Sequence, residues 1–491
     1  MSPVRFRCSS RGFARGFGGP VAAWTLPLLA AFLAAFPHFV LPARAMDRTK
    51  GNPPPRTEQE LVVIDEPKLF AAGIRKLEGR HLTLYTDLPS SPEVDSLCRA
   101  FDAAFREWCR YFGVEGVNDA WRMRGFLMAD RERFRALGLI PSRLPPFGNG
   151  YSLGDILWLY EQPSDYYRRH LLLHEGTHGF VRSFFGRDAP PWYNEGIAEL
   201  FGTHHWDGSV LTPAYTPRSP DEVPMWGRVK IVRDAVRAGH GLTLEQVLAF
   251  GPTAHRESEP YPDTLGNPGP VGPALGPTAH RDVEPYGWCW ALAALLEGDP
   301  RFRERFRSLP RYLMRPDFTQ QFRRLFAPDW RLLQVEWLLF THNIEYGYSF
   351  EAEALDLQPG VPLPASGAGY AVASHRGWQN TGYRLEAGKT YRLTAQGRYT
   401  VCREGGDWVC EPDGVTIRYY RGKPLGVLLA ALDSPHHPPD QPGGLLDPVV
   451  VGSGRDWSPP FSGTLFLRIN DSPAELADNT GSASVFIRPD E

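Results

Sequence analysis

The sequence predicts two structural classes in one chain, an α+β domain followed by an all-β sandwich. Three observations carry this. Between residues 67 and 350 strand-like alternation gives way repeatedly to helical spacing. Between 369 and 491 short β-like runs succeed one another, separated by Gly, Pro, Asn and Asp. Finally, 49 Gly and 47 Pro among 491 residues favour turns over long helical bundles. With 42% hydrophobic and 22% charged residues the composition supports packed cores.

Residues 1–45 stand apart. They carry Arg5, Arg7, Arg11, Arg15 and Arg44, no Asp or Glu, an apolar run from Val21 to Leu41, and then Ala43-Arg44-Ala45. A basic start, an apolar middle and an A-x-A end describe a signal peptide cut after Ala45. Pro27 and Pro37 interrupt the run, which argues against a retained span. The expected location is therefore secreted, periplasmic or at the cell envelope, with no transmembrane segment after cleavage. Losing five Arg leaves 48 Lys and Arg against 56 Asp and Glu, a net charge of about −8 that disfavours nucleic acid as a partner. Five cysteines remain, without any C-x-x-C pair. Cys98 and Cys109 lie about three helical turns apart, too far to bond, while Cys402 and Cys410 flank a short polar loop and could bridge a hairpin.

Residues 46–66, with Asn52-Pro53-Pro54-Pro55, read as a linker. His81 to Thr86 alternates like a strand, and Pro92 to Phe112 places Leu97, Phe101, Phe105, Trp108 and Phe112 on one helical face. Met123 to Ala129 reads as a strand, Arg131 to Leu137 as a short helix and Gly150 to Tyr160 as a third strand. G-P-T-A-H-R-E-S-E-P-Y at 251–261 recurs as G-P-T-A-H-R-D-V-E-P-Y at 276–286, a local duplication of two copies. Helical spacing resumes from Gly287 to about Phe340, and residues 351–368 read as a second linker. The β-like runs after it are Thr390–Ala395, Thr416–Tyr420, Leu425–Leu432, Val449–Gly452, Gly463–Ile469 and Ala483–Ile487.

The chemistry concentrates at H-L-L-L-H-E-G-T-H-G-F-V, residues 170–181. Ser164 can cap the helix start and Gly186 can end it. His174 and His178 stand four apart, so both rings leave one helical face and can meet one metal ion. Glu175 lies beside the first of them, where a carboxylate can take a proton from water. A catalytic zinc takes three protein ligands and leaves a position open. P-P-W-Y-N-E-G-I-A-E-L-F at 190–201 offers the third: Asn194 can cap a helix beginning at Glu195, which would bind the ion. Glu199, one turn on, would accept the free N–H of a ligand histidine.

H-E-G-T-H followed by W-Y-N-E-G-I-A-E resembles the gluzincin superfamily of zinc metallopeptidases, and the exported peptidase MA-like proteins within it. The resemblance implies a zincin-like fold, Zn2+ at His174, His178 and Glu195, Glu175 as general base and Glu199 behind a ligand. It also implies that the strand over 150–160 edges the cleft and lays substrate backbone alongside. Gly176 within the helix suggests close approach of another backbone. An oxyanion needs a donor; Tyr286, Tyr261, His280 and His255 are candidates, and Tyr286 is preferred because helical spacing follows it directly.

In the C-terminal region I-N-D-S-P-A-E-L-A-D-N-T-G puts Asp471, Asp478 and Asn479 in one loop, an oxygen-rich set suited to Ca2+. N-D at 470–471 followed by D-N-T-G at 478–481 resembles the PA-IL-like, calcium-dependent galactose-binding lectins, a jelly-roll-like β-sandwich family. The resemblance implies Ca2+ on the side chains of Asp471, Asp478 and Asn479 and on main-chain oxygens of Glu475 and a residue near Val401. The sugar-contacting loop does not align.

The expected whole is an exported zinc metallopeptidase over 67–350 and a lectin-like module over 369–491, acting on a protein or peptide near cell-surface or extracellular glycans. The alternatives are a carbohydrate-binding or adhesion protein with an inactive protease-like half, or a zinc hydrolase of a non-peptide amide.

Overall fold

The computed structural model describes residues 62–115, 121–186, 188–251 and 284–490. The predicted signal peptide, most of the linker over 46–66 and most of the duplicated stretch, with Tyr261, His255 and His280, lie outside these residues. The chain is mixed α/β with a strand-rich C-terminal region, as composition and patterning predict.

Five strands form the first sheet: β1 (Arg75–Glu78), β2 (Leu82–Thr86), β3 (Met123–Met128), β4 (Gly150–Leu153) and β5 (Ile156–Tyr160), in the spatial order β1-β2-β3-β5-β4. β2, β3 and β5 are parallel, while β1 and β4 run antiparallel at the two edges. The segment read as one strand over 150–160 is thus a hairpin, turned at Gly154 with φ +59°, a conformation that favours glycine. β5 is buried at every position because it is covered on both faces. Leu157 and Leu159 point into the main helical core, whereas Ile156, Trp158 and Tyr160 point into a second cluster. Val62 is buried in that second cluster, so the end of the predicted linker belongs to the fold.

α1 (Glu66–Ala71) and α4 (Arg131–Ala136) bury Leu69 and Phe134 in that second cluster. The helix predicted over 92–112 is two, α2 (Pro92–Asp95) and α3 (Leu97–Phe112), divided at Ser96. On the far face α3 packs against α5 (Asp165–Phe185), which is followed by α6 (Pro191–Gly202). Next come α7 (Arg228–Arg237), α8 (Leu244–Leu248), α9 (Glu284–Gly298), α10 (Pro300–Arg307), α11 (Phe318–Phe326), α12 (Trp330–Asn343) and α13 (Phe350–Glu353). Among the described residues no helix is long and apolar enough to cross a membrane.

The C-terminal region holds two main sheets over one core. One runs Val449–Val450, Leu428–Asp433, Gly463–Ile469, Gln379–Leu385, Val361–Pro362. The other runs Val409–Cys410, Tyr399–Thr400, Thr480–Pro489, Tyr391–Gln396, Gly454–Trp457, with Ala368–Ala373 also on Thr480–Pro489. Between them pack Leu393, Leu428, Leu432, Leu465, Leu467, Val485 and Ile487. Period two then places the alternate residues Leu429, Ala431 and Phe466 on the outer face of the first sheet, where they bury against Val335 and Leu339 of α12. The region over 351–368, read as a linker, is built into this seam. It contains most of α13, Leu355 is buried beside Val335 and Leu339, and Val361–Pro362 pairs parallel to Gln379–Leu385.

The hairpin disulfide expected between Cys402 and Cys410 is absent, and both thiols are free and buried. The strand register sets Cys410 opposite Tyr399 instead of Cys402, so the two sulfurs do not face each other.

Candidate functional site

α5 begins where the sequence says, with the Ser164 hydroxyl accepting the Tyr167 N–H at 3.1 Å, and it ends at Gly186 with φ +74°. Its middle is pressed against α3 and β3. A Cβ on Gly176 would lie 2.6 Å from the ring of Phe101 and 2.7 Å from that of Trp108, and one on Gly179 would lie 2.1 Å from Met123. The close approach expected at Gly176 therefore comes from aromatic side chains and not from a backbone. Pinning this face turns His170, His174 and His178 toward α6.

α6 starts four residues before the expected position. Pro191 opens it, Pro190 is its cap, and Asn194 lies inside with its amide 3.4 Å from Glu195 Oε1. Proline at the first helical position brings no N–H to satisfy and a φ already suited to the helix. α6 in turn lies close on α9, because a Cβ on Gly196 would sit 2.8 Å from the carbonyl oxygen of Cys289. Glu195, next to that glycine, is thereby carried to the histidines.

Three donor atoms converge. The Nε2 atoms of His174 and His178 are 3.2 Å apart, and Glu195 Oε2 is 3.4 Å from the first and 3.3 Å from the second. Two imidazole nitrogens facing each other at that distance need a proton or a cation between them. Tetrahedral zinc with bonds of ~2.0–2.1 Å has ligand-to-ligand edges of about 3.3 Å. The three edges match that length. The three side chains are only 8–13% exposed, so water screens them weakly.

Behind them lies Glu199, about 1% exposed. Its Oε1 is 3.4 Å from His174 Nδ1, an ion-pair distance whose alignment falls short of a hydrogen bond. Its Oε2 is 3.5 Å from His170 Nε2. Its hydrogen bonds come instead from buried Arg228, Nε to Oε2 at 2.9 Å and Nη2 to Oε1 at 2.8 Å. His170, His174 and Glu199 are close enough to be mistaken for a second metal triad. The guanidinium already occupies both carboxylate oxygens, so that group is an ion-pair network and a second cation there would be repelled.

These charges shape one another. Burial pulls His174 down, but Glu195 and Glu199 beside it outweigh that and hold it well above the usual histidine range. Burial pushes Glu195 up, but His178 and His174 hold it well below the carboxylate range. His170 is lowered by burial despite Glu199.

Glu175 lies against the edge strand β4: a Cβ on Gly150 would be 3.0 Å from its Cγ and Oε1. Tyr286, on the first turn of α9, brings its ring within 6.1 Å of His174 and 5.9 Å of the Arg228 guanidinium. Burial, then the charges of Glu195, Glu175 and Glu199, raise its hydroxyl pKa well above the usual range, so it remains a donor. Every described site residue named from the sequence around this helix is thus brought together. His170 and Arg228 were not named. His170 could have been, since it continues the four-residue spacing of His174 and His178.

In the C-terminal region Asp471 is fully buried, accepting from Ser472 N at 2.7 Å and from Asn479 Nδ2 at 2.8 Å. Burial raises it to about 6. Asp478 Oδ2 accepts from Arg403 N at 2.8 Å, while Asp478 Oδ1 and Asn479 Oδ1 are buried without a hydrogen-bond partner. The Glu475 carboxylate is engaged by Arg418 at 2.5 and 2.6 Å, leaving only its main chain for the expected role. The same loop touches the helical part, where the Ser472 hydroxyl donates to Glu345 at 2.7 Å.

No family model matches the chain, and no curated protein matches it. Among solved structures, the chain is similar to the N-terminal domain of EclA, described as a PllA-like lectin. The identity is 25% and the TM-score 0.19, over 25% of this chain and 95% of that one. It is also similar to IMPa from Pseudomonas aeruginosa, solved with an O-glycopeptide, at 12% identity and a TM-score of 0.16, over 83% of this chain and 46% of that one.

Proposed function

We propose that the chain is an exported, zinc-dependent peptidase of the gluzincin type. The observation that carries this reading is the triangle of His174, His178 and Glu195, whose edges match a tetrahedral zinc site. When bound, the ion supplies Lewis acidity, polarising a carbonyl and making water a stronger nucleophile. The chain's own groups do the rest. Glu175, resting on Gly150, takes the proton of the attacking water and passes it to the leaving amine. Tyr286 donates to the oxygen that gains charge. Glu199 faces Nδ1 of His174 and keeps Nε2 turned to the ion. β4 is an edge strand, so an extended peptide can pair with its outward backbone beside Glu175, apart from the Ser152 carbonyl, which accepts from Arg182 Nη1 at 3.1 Å. The test is metal analysis of the purified mature protein with a casein hydrolysis assay. One zinc per chain with hydrolysis supports the reading. Zinc without hydrolysis favours an inactive protease-like half in a binding protein, and no zinc overturns it.

For the C-terminal region we propose a Ca2+ site on Asp471, Asp478 and Asn479 in a lectin-like, glycan-directed module. Two buried oxygens without partners, Asp478 Oδ1 and Asn479 Oδ1, support it, because such atoms cost about 1–3 kcal/mol each unless satisfied. Adding Ca2+ at a hundred times its Kd is expected to stabilise the protein by ~2.7 kcal/mol. Differential scanning calorimetry with and without Ca2+ checks it. The gain is expected to vanish in Asp478→Ala, and an equal gain in that variant would count against the site.

A further inference from the structure

We infer that Arg228 is the positioning residue of the zinc site: it locks Glu199, and through Glu199 it fixes the orientation of His174. This rests on the metal reading above. A carboxylate at the end of a glutamate side chain swings freely unless both oxygens are held. Here the guanidinium fork takes both, at 2.9 and 2.8 Å, the bidentate geometry that only arginine provides. The two histidines approach the same oxygens at 3.4 and 3.5 Å. The shorter contacts decide, so the arginine sets where the carboxylate lies and the histidines adapt to it. With an anionic oxygen fixed 3.4 Å from Nδ1, a His174 that gives up its Nε2 proton to a metal ion would keep the remaining one on Nδ1, leaving Nε2 turned to the ion beside Glu195 and His178.

Arg228 is itself held in place. It opens α7 directly after Gly227, which turns the chain at φ +64°. Its Nη1 donates to the Trp226 carbonyl at 3.4 Å, and its Nη2 reaches the Tyr167 hydroxyl at 3.5 Å. Trp226 is buried edge-on against Trp290 of α9 at 4.7 Å. α7 and α9 therefore jointly aim a side chain at the back of a ligand presented by α5.

The test compares the wild type, Arg228→Gln, Arg228→Lys, Glu199→Gln and the double variant Arg228→Gln/Glu199→Gln. Each metal-free protein is titrated with Zn2+ against a chromophoric chelator, and the visible absorption of each Co2+-loaded protein is recorded. Arg228→Gln and Glu199→Gln are each expected to weaken zinc binding by about 10–100-fold, with Arg228→Lys between them and the wild type. The double variant is expected to bind no more weakly than Glu199→Gln alone, since the arginine acts through that carboxylate. The cobalt spectrum of Arg228→Gln is expected to shift as that of Glu199→Gln does, which a residue that merely supports the fold would not cause. Should Arg228→Gln fail to fold with Glu199 left unpaired, the double variant removes both charges and the comparison with Glu199→Gln decides alone. Losses that multiply in the double variant, or wild-type affinity in Arg228→Gln, overturn the inference. A wild type that takes up no zinc overturns the metal reading itself.

Discussion

Glu175→Gln is expected to keep its zinc and lose peptide hydrolysis by roughly 10²–10⁴-fold, the range that a positioned general base contributes. The substitution is nearly isosteric. The amide keeps the place of the carboxylate against Gly150, where a Cβ would meet the side chain at 3.0 Å. His174, His178 and Glu195 are untouched, so metal content is unaffected. What disappears is the proton acceptor. The measurement is kcat on casein or a quenched peptide beside metal analysis of the same preparation. An unchanged rate with full zinc would falsify the assignment of Glu175.

Stripping the metal is expected to abolish hydrolysis and lower the melting temperature, with a difference that widens as pH rises. At a free zinc concentration a thousandfold above Kd the bound ion stabilises the fold by ~4.1 kcal/mol. The pH dependence follows from His174. Its folded-state pKa without metal lies well above the ordinary 6.5, because Glu195 and Glu199 outweigh the opposing effect of burial. A raised pKa stabilises the metal-free fold fully below pH 6.5, and that contribution is lost as pH climbs through the elevated value. Zinc must also displace that proton, so its affinity keeps rising above pH 6.5, where a free imidazole would already be neutral. Melting curves with and without chelator between pH 6 and 9 check this. A gap that narrows with pH would overturn it.

Helix α5 was legible because its message is local. A four-residue spacing fixes a helical face, and Ser164 and Gly186 mark its ends. Glu195 was legible from the next few residues, although the start of its helix was misplaced. Pro191 starts that helix without a polar cap, so Asn194 drew attention it did not merit. Arg228 carried no such signal. It meets Glu199 across 29 residues, and nothing in either neighbourhood encodes that encounter. Strand alternation failed for the same reason in both halves. Ile156–Tyr160 and Leu428–Leu432 are apolar throughout because each is covered on both faces, so their period of two appears only in which core each residue enters. β1, with Arg75, Lys76 and Glu78 at an edge, carries no apolar alternation that marks it as a strand. The stretch 351–368 resembled a linker by its prolines and glycines, yet Leu355 buries there.

The layer shared by Phe466, Leu429 and Ala431 with Val335 and Leu339 of α12 has a mechanical consequence. A module hung on a tether explores a volume; one that is keyed into its neighbour keeps a constant bearing and range. Under the proposed function, a ligand held by the strand-rich end would therefore lie at a set separation from His174 and Glu175, as a gauge block fixes a workpiece.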